Sequence, residues 1–131
     1  MKKFIWCSVH TPSAEQLAEL KSAWGMEGNL VYLSDIYPST QEFLNNCSDN
    51  YDDLLLHAKD MHEIARSENA VLVQPGGSQA FQYILGKVSM TSLHKNAILY
   101  AFSERISEDI PQEDGTVKKI SYFKHKCFQQ A

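Results

Sequence analysis

A chain of 131 residues is long enough for one domain with a real core and too short for two ordinary ones. A hydrophobic share of 44% with 21% charged residues is a globular composition, and no apolar run approaches the length of a membrane span. The formal net charge of −4 argues against non-specific binding of long nucleic acid.

The N-terminal "MKKFIWCSVH" loosely mimics a signal peptide. Its apolar part is too short and no small-residue cleavage site follows, so it reads as a first strand over 3–9 in a cytoplasmic protein. The segment after it carries a helix-start signal. Thr11 is a candidate cap, Pro12 suits the first helical position and Glu15 the first turn. Leu17, Leu20 and Trp24 then recur at helical spacing, and Gly25 or Gly28 ends the helix. "NLVYLSD" predicts a second strand over 29–34.

Residues 36–68 support one or two helices, broken near "NNCSDN", with Asp49 or Asn50 capping the second. "AVLVQ" is apolar without alternation, as in a central parallel strand buried on both faces. The chain turns through Pro75, Gly76 and Gly77, and a helix follows with Phe81, Ile84, Leu85 and Val88 inward. "NAILYAF" predicts a fourth buried strand over 97–102. Asp114-Gly115 is a hairpin signal leading into an alternating last strand around Ile120 and Tyr122. The order predicts a single α/β domain over 1–131, a Rossmann-like parallel sheet flanked by helices with a C-terminal antiparallel addition.

Cys7, Cys47 and Cys127 are odd in number and far apart, which fits free thiols. His57 and His62 are five apart and point to different faces of a helix, so no metal site is expected. Charge is unevenly spread. Residues 15–68 hold eleven acids against three bases, whereas residues 69–131 hold seven bases against five acids. Four lysines fall between Lys118 and Lys126. Either the acidic part is a solvated flank, or the C-terminal half meets a small anion.

In an open parallel sheet, ligands bind beyond the carboxyl ends of the strands. That rule selects Ser8-Val9-His10-Thr11, Gln74 to Ser78, and Ser103-Glu104-Arg105. They offer hydroxyls, an imidazole, an amide, a guanidinium and helix N-termini suited to anions. Gly76 and Gly77 either cradle a phosphate or simply make the turn. Arg105 suits a phosphate or a surface tie to Glu104 or Glu108, and His10 suits catalysis or the start of a helix. Neither the dinucleotide glycine fingerprint nor the P-loop lysine motif is present.

Taken in order, these segments resemble the small stand-alone CRISPR-associated ring nucleases of CARF-type Rossmann fold. Ser8-Val9-His10-Thr11 with Gln16 is similar to the family's serine–histidine segment after the first strand, with one insertion. Val73-Gln74-Pro75-Gly76-Gly77 is similar to its glutamine–glycine turn, and Tyr100 to Arg105 to its tyrosine-to-arginine segment. Asp114-Gly115 through Phe123-Lys124-His125-Lys126-Cys127-Phe128 is similar to its terminal hairpin. Phe102, Pro75 and Cys127 depart from the family's usual threonine, glycine and arginine. The resemblance implies a homodimer binding cyclic oligoadenylate, above all the four-membered ring, and needing neither metal nor cofactor. It implies ring opening by a ribose 2′-hydroxyl, leaving a 2′,3′-cyclic phosphate and ending a type III CRISPR antiviral signal. His10, Ser103 and Arg105 would be catalytic. Ser8, Val9, Thr11, Gln74, Gly76, Gly77, Ser78, Glu104, Lys124 and His125 would bind the ligand. A non-catalytic binder of the same ligand, or a domain for another nucleotide, are the competing readings.

Overall fold

Lys3–Trp6 and Ala70–Gln74 are short runs in which every second residue turns to the opposite face, and both faces are apolar. They form β1 and β3 and pair in parallel at the centre of the sheet, from Lys3↔Ala70 to Trp6↔Val73. A computed structural model describes residues 2–91 and 98–130. Around the central pair the chain adds α1 (Ala14–Ser22), β2 (Val31–Tyr32), α2 (Leu33–Ile36), α3 (Pro38–Asn45) and α4 (Tyr51–Ser67). After β3 come α5 (Gln79–Thr91), β4 (Ile98–Pro111) and β5 (Val117–Gln130). The five strands lie in the order β2-β1-β3-β4-β5, all parallel except β5. This is the expected α/β architecture.

Each face of the sheet has its own core. Ile5, Leu72 and Ile98 pack under α4 and α5 with Met61, Phe81 and Leu85. Phe4, Trp6, Val71, Val73 and Leu99 pack on the other face with Leu20, Met26 and Phe128. Fully burying side chains of this size contributes roughly 1.5–3 kcal/mol each. Among the described residues no helix is long and apolar enough to cross a membrane.

Several boundaries differ from the sequence expectation. Ser13, not Thr11, caps α1: its hydroxyl accepts from Gln16 N–H at 3.1 Å, while Gln16 Oε1 accepts from Ser13 N–H at 2.9 Å. The reciprocal pair satisfies two donors, where Thr11 alone would satisfy one. β1 stops at Trp6, and Val9 is exposed. β2 keeps only Val31 and Tyr32, because Leu33 already begins α2. The expected helix after the glycine turn starts at Gln79. Asn50, of the two possible caps, accepts from Asp53 N–H at 3.1 Å.

The largest difference is at β4. Position 97, the expected start, lies outside the described residues, and the strand does not end at 102. It runs to Pro111 and pairs with β5 from Leu99↔Gln130 to Pro111↔Val117, with one irregularity beside Phe102. Gln112 N–H donates to Thr116 O at 2.8 Å and Gly115 N–H to Gln112 O at 3.1 Å, closing the predicted hairpin with Gly115 at φ 85°.

The last strand is tied to α1 through one carboxylate. Glu19 accepts from His125 Nε2 at 2.7 Å, Phe128 N–H at 2.8 Å and Trp24 Nε1–H at 3.1 Å. Burial alone would raise this carboxyl. The Phe128 N–H, His125 and Trp24 outweigh it and hold the group below the usual carboxylate range. A depressed carboxylate stabilises the fold above its unfolded pKa, and that contribution is lost as pH falls through the folded value. Glu19→Gln should therefore cost about 1–3 kcal/mol at neutral pH, with the gap to wild type closing in acid. Denaturant titrations at stepped pH measure this, and a gap independent of pH would contradict it.

Candidate functional site

From β1 the chain moves outward to β2, then returns past β1 to add β3 and β4 on the other side. At such a reversal the connections leave in opposite directions and a crevice opens beyond the strand ends. Here it is a cavity of about 500 Å³, lined from β1 by Cys7, Ser8, Val9 and His10, and from β3 by Gln74 through Ser78. Phe81 of α5 closes one wall. Gln41, Leu44 and Asn45 of α3, with Cys47 beyond it, close the other.

The two loops are held from beneath. The buried Trp6 donates its Nε1–H to His10 O at 2.7 Å, and His10 N–H donates to Ser8 Oγ at 3.1 Å. The backbone of His10 is thus pinned while the residue as a whole stays exposed. On the other side Gln74, 3% exposed, donates its Nε2 to Gly76 O at 3.0 Å and so shapes the turn. Gly77 has φ 115°, in the region that favours glycine. Ser78 then caps α5, its Oγ accepting from Phe81 N–H at 3.3 Å and its carbonyl from Gln82 N–H at 3.0 Å. The first-turn N–H groups of a helix lack intrahelical partners, so this wall suits negative charge.

Two buried amides stand out. Gln41, also 3% exposed, donates Nε2 to Asn45 Oδ1 at 3.0 Å. Neither Gln41 Oε1 nor Gln74 Oε1 has a protein partner, although both are shielded from solvent. Leaving a buried acceptor unpaired costs roughly 1–3 kcal/mol, so two in the lining of one cavity need a reason. The Gln74 assignment is secure, because only its nitrogen can donate to the Gly76 carbonyl.

The two thiols in the lining are shifted away from ionisation. Burial outweighs a hydrogen bond with Val73 and pushes Cys7 up to about 12, and burial raises Cys47 as well. Burial thus disfavours the thiolate at both positions, the opposite of what a cysteine nucleophile needs. No lysine or arginine lines the cavity among the described residues, and these hold no metal-ready cluster of His, Cys, Asp or Glu.

Seven of the expected site residues therefore meet: Ser8, Val9, His10, Gln74, Gly76, Gly77 and Ser78. Thr11 is exposed just outside the lining. Ser103, Glu104 and Arg105 do not join them within one chain. The strand-end rule selected these three on the expectation that β4 stops at 102, but they sit inside the long strand, opposite His125, Lys124 and Phe123. Lys124 is exposed on the hairpin, and His125 is turned against Glu19 of α1. Gln41, Leu44, Asn45 and Cys47 were not anticipated. A glutamine on the inner face of an amphipathic helix leaves no periodicity signal, and the spacing of Gln41 and Asn45, i and i+4, was the available hint.

The chain belongs to the uncharacterized protein MJ1673 family, whose family model matches residues 2–129. No curated protein and no solved structure matches it.

The two glycines should respond in opposite ways to alanine. A Cβ at Gly76 meets nothing within 4 Å and its φ is ordinary, so Gly76→Ala should leave stability unchanged or raise it by roughly 0.4–1 kcal/mol. A Cβ at Gly77 meets Gln74 Nε2 at an ordinary 3.5 Å, so the cost of Gly77→Ala comes from its φ, on the order of 1–3 kcal/mol. Equal effects in thermal or chemical denaturation would contradict this account of the turn.

Proposed function

We propose that this member of the MJ1673 family binds a cyclic oligoadenylate at the switch-point cavity and opens it as a metal-independent ring nuclease, two copies of the chain sharing one ligand. The observation that carries the reading is the meeting of the Ser8–His10 and Gln74–Ser78 segments around one cavity of about 500 Å³. A phosphodiester meets the glycine turn and the N-terminus of α5, where N–H groups face negative charge without a full cation. The orphaned oxygens of Gln41 and Gln74 accept hydrogen bonds, so they favour a ligand rich in amino and hydroxyl donors, as adenosine is.

In the reaction a ribose 2′-hydroxyl attacks the neighbouring phosphorus in line. The P–O5′ bond breaks, leaving a 2′,3′-cyclic phosphate and a free 5′-hydroxyl. The exposed imidazole of His10, on its pinned backbone, takes the 2′ proton, and the 5′ oxygen takes one up. A general base of this kind contributes roughly 10²–10⁴-fold. Holding the 2′ oxygen in line is the other requirement, and a cavity closed on two sides by fixed loops favours it.

One observation favours a second reading, in which the protein binds the ligand and does not cleave it. Ser103 and Arg105 stand on the hairpin, away from the cavity of their own chain. Turnover then depends on a second copy to supply cationic groups.

Incubation of the pure protein with cyclic tetra-adenylate in EDTA, followed by chromatography, separates these readings. Ring opening to a 2′,3′-cyclic phosphate is expected. His10→Ala should lower turnover while sparing most of the affinity. Arg105→Ala should weaken binding by roughly 1.5–3 kcal/mol, less at high salt. Tight binding without any product would favour the binder. Cleavage that stops in EDTA and returns with a divalent ion would overturn the metal-free mechanism, and no binding at all would overturn the whole reading.

A further inference from the structure

β3 pairs with β4 only as far as Tyr100, so from Ala101 to Pro111 the β4–β5 hairpin leaves the sheet as a two-stranded arm. At about 3.3 Å per residue it projects roughly 35 Å past the strand ends. An isolated two-stranded ribbon is marginal in water, because it has no second layer to bury a face against. Past Ala101, only Ile106, Ile120, His125 and Cys127 are half-buried before the chain returns to the core at Phe128.

The register assigns two unlike faces. Ile106, Ile110, Ile120 and Tyr122 share one face with Glu104, Glu108, Lys118 and Lys124. The diagonal bond from Tyr122 Oη–H to Glu108 Oε1 at 2.9 Å fits that assignment. The opposite face carries Arg105, Asp109, Lys119, Val117 and Phe123 with Ser107 and Ser121, whose hydroxyls meet at 3.1 Å. Three isoleucines and a tyrosine thus line one side of a ribbon, and among the described residues no other element of the chain packs over them. The strip continues at the base of the arm through the exposed Phe102 to a groove of about 550 Å³ beside Tyr83 and Met90 of α5.

We propose that this face is covered by the same face of a second copy, the two arms packing as a four-stranded sandwich about a two-fold axis that runs along them. The charges select both occupant and orientation. On this face the acids belong to β4 and the bases to β5. A two-fold along the arms lays β4 of one chain over β5 of the other, so Glu104 meets Lys124 of the partner copy and Ile106 meets its Tyr122. A two-fold across the arms would lay the acid-bearing strand over its own copy. A surface complementary to itself under a two-fold closes into a dimer and goes no further. Rim charges of this kind set orientation more than affinity; the isoleucines supply the burial.

The arrangement has a consequence for the cavity. β4 is parallel to β1 and β3, so the arms project from the end at which the cavity opens. A two-fold along the arms puts both cavities at the same end of the dimer, as a shared symmetric ligand requires. Only that consequence rests on the proposed function; the interface stands on the arm alone.

Light scattering of the full chain at micromolar concentration should give twice the 14.9 kDa of one chain. The double variant Ile106→Glu, Ile120→Glu should be monomeric with unchanged circular dichroism, because both positions lie on the outer face of the arm. Glu104→Lys and Lys124→Glu should each weaken the dimer. Mixed together, with one of them isotope-labelled, they should give more heterodimer than the statistical half in native mass spectrometry. The mixture separates the contact between chains from the Glu104–Lys124 pair within one chain, since each variant still carries its own like-charged pair. A monomeric wild type, or a double variant that still dimerises, would overturn the interface. A merely statistical mixture would overturn the orientation along the arms.

Discussion

The parallel pairing of β1 with β3 is the constraint on which the rest of this molecule depends. From Lys3↔Ala70 to Trp6↔Val73, and on to the bond from Cys7 N–H to Val73 O at 2.9 Å, two strands are locked side by side with both faces buried. Their alternate residues seed both cores, Ile5 and Leu72 on one side, Trp6 and Val73 on the other. Because the order of strands reverses between them, their outgoing loops diverge, and the divergence is the cavity. The same tryptophan that fills the α1-side core also holds the carbonyl of His10. Packing and site geometry are therefore one arrangement here: loosening Trp6 would free the loop that carries the imidazole.

The cavity is chemically particular in being neutral. Burial disfavours ionisation of its two thiols, no lysine or arginine lines it among the described residues, and its polar atoms there are amides, hydroxyls, one imidazole and the N–H groups of a glycine turn. Such a lining offers dipoles in place of full charges, and its glutamine oxygens are acceptors. Five of the twelve lysines and arginines lie on the arm, at Arg105 and the four lysines between Lys118 and Lys126, balanced there by Glu104, Glu108, Asp109, Glu113 and Asp114.

The central sheet was legible because its signal is the strongest that a sequence carries: "AVLVQ" is apolar at every position save the last, and that last residue proved to be the buried polar one that shapes the site. The glycine turn was legible for the same reason, since Gly77 adopts a φ of 115°. The far half of β4 was not. Glu104 to Pro111 alternates isoleucine with charge on one face but buries little, so it reads as a loop, and the strand-end rule was applied well before the strand ends at Pro111. Ser103, Glu104 and Arg105 were selected as strand-end residues for that one reason, and they stand within the strand instead. Gln41 was invisible for another. Apart from its i, i+4 spacing to Asn45, nothing local distinguishes a glutamine turned inward from one turned to solvent, and the packing of α3 over the strand ends settles it. Thr11 was chosen over Ser13 as the cap because the proline beside it fits a helix start, whereas the reciprocal bond between Ser13 and Gln16 satisfies more of the backbone.

The most direct test of the account is a map of amide NMR signals as cyclic tetra-adenylate is added to the His10→Ala protein, which slows turnover during the titration. The account predicts the largest shifts at Ser8, Gly76, Gly77 and Ser78 and in the side-chain amides of Gln41 and Gln74. Saturating ligand that leaves those signals in place, while others move or none do, would contradict it.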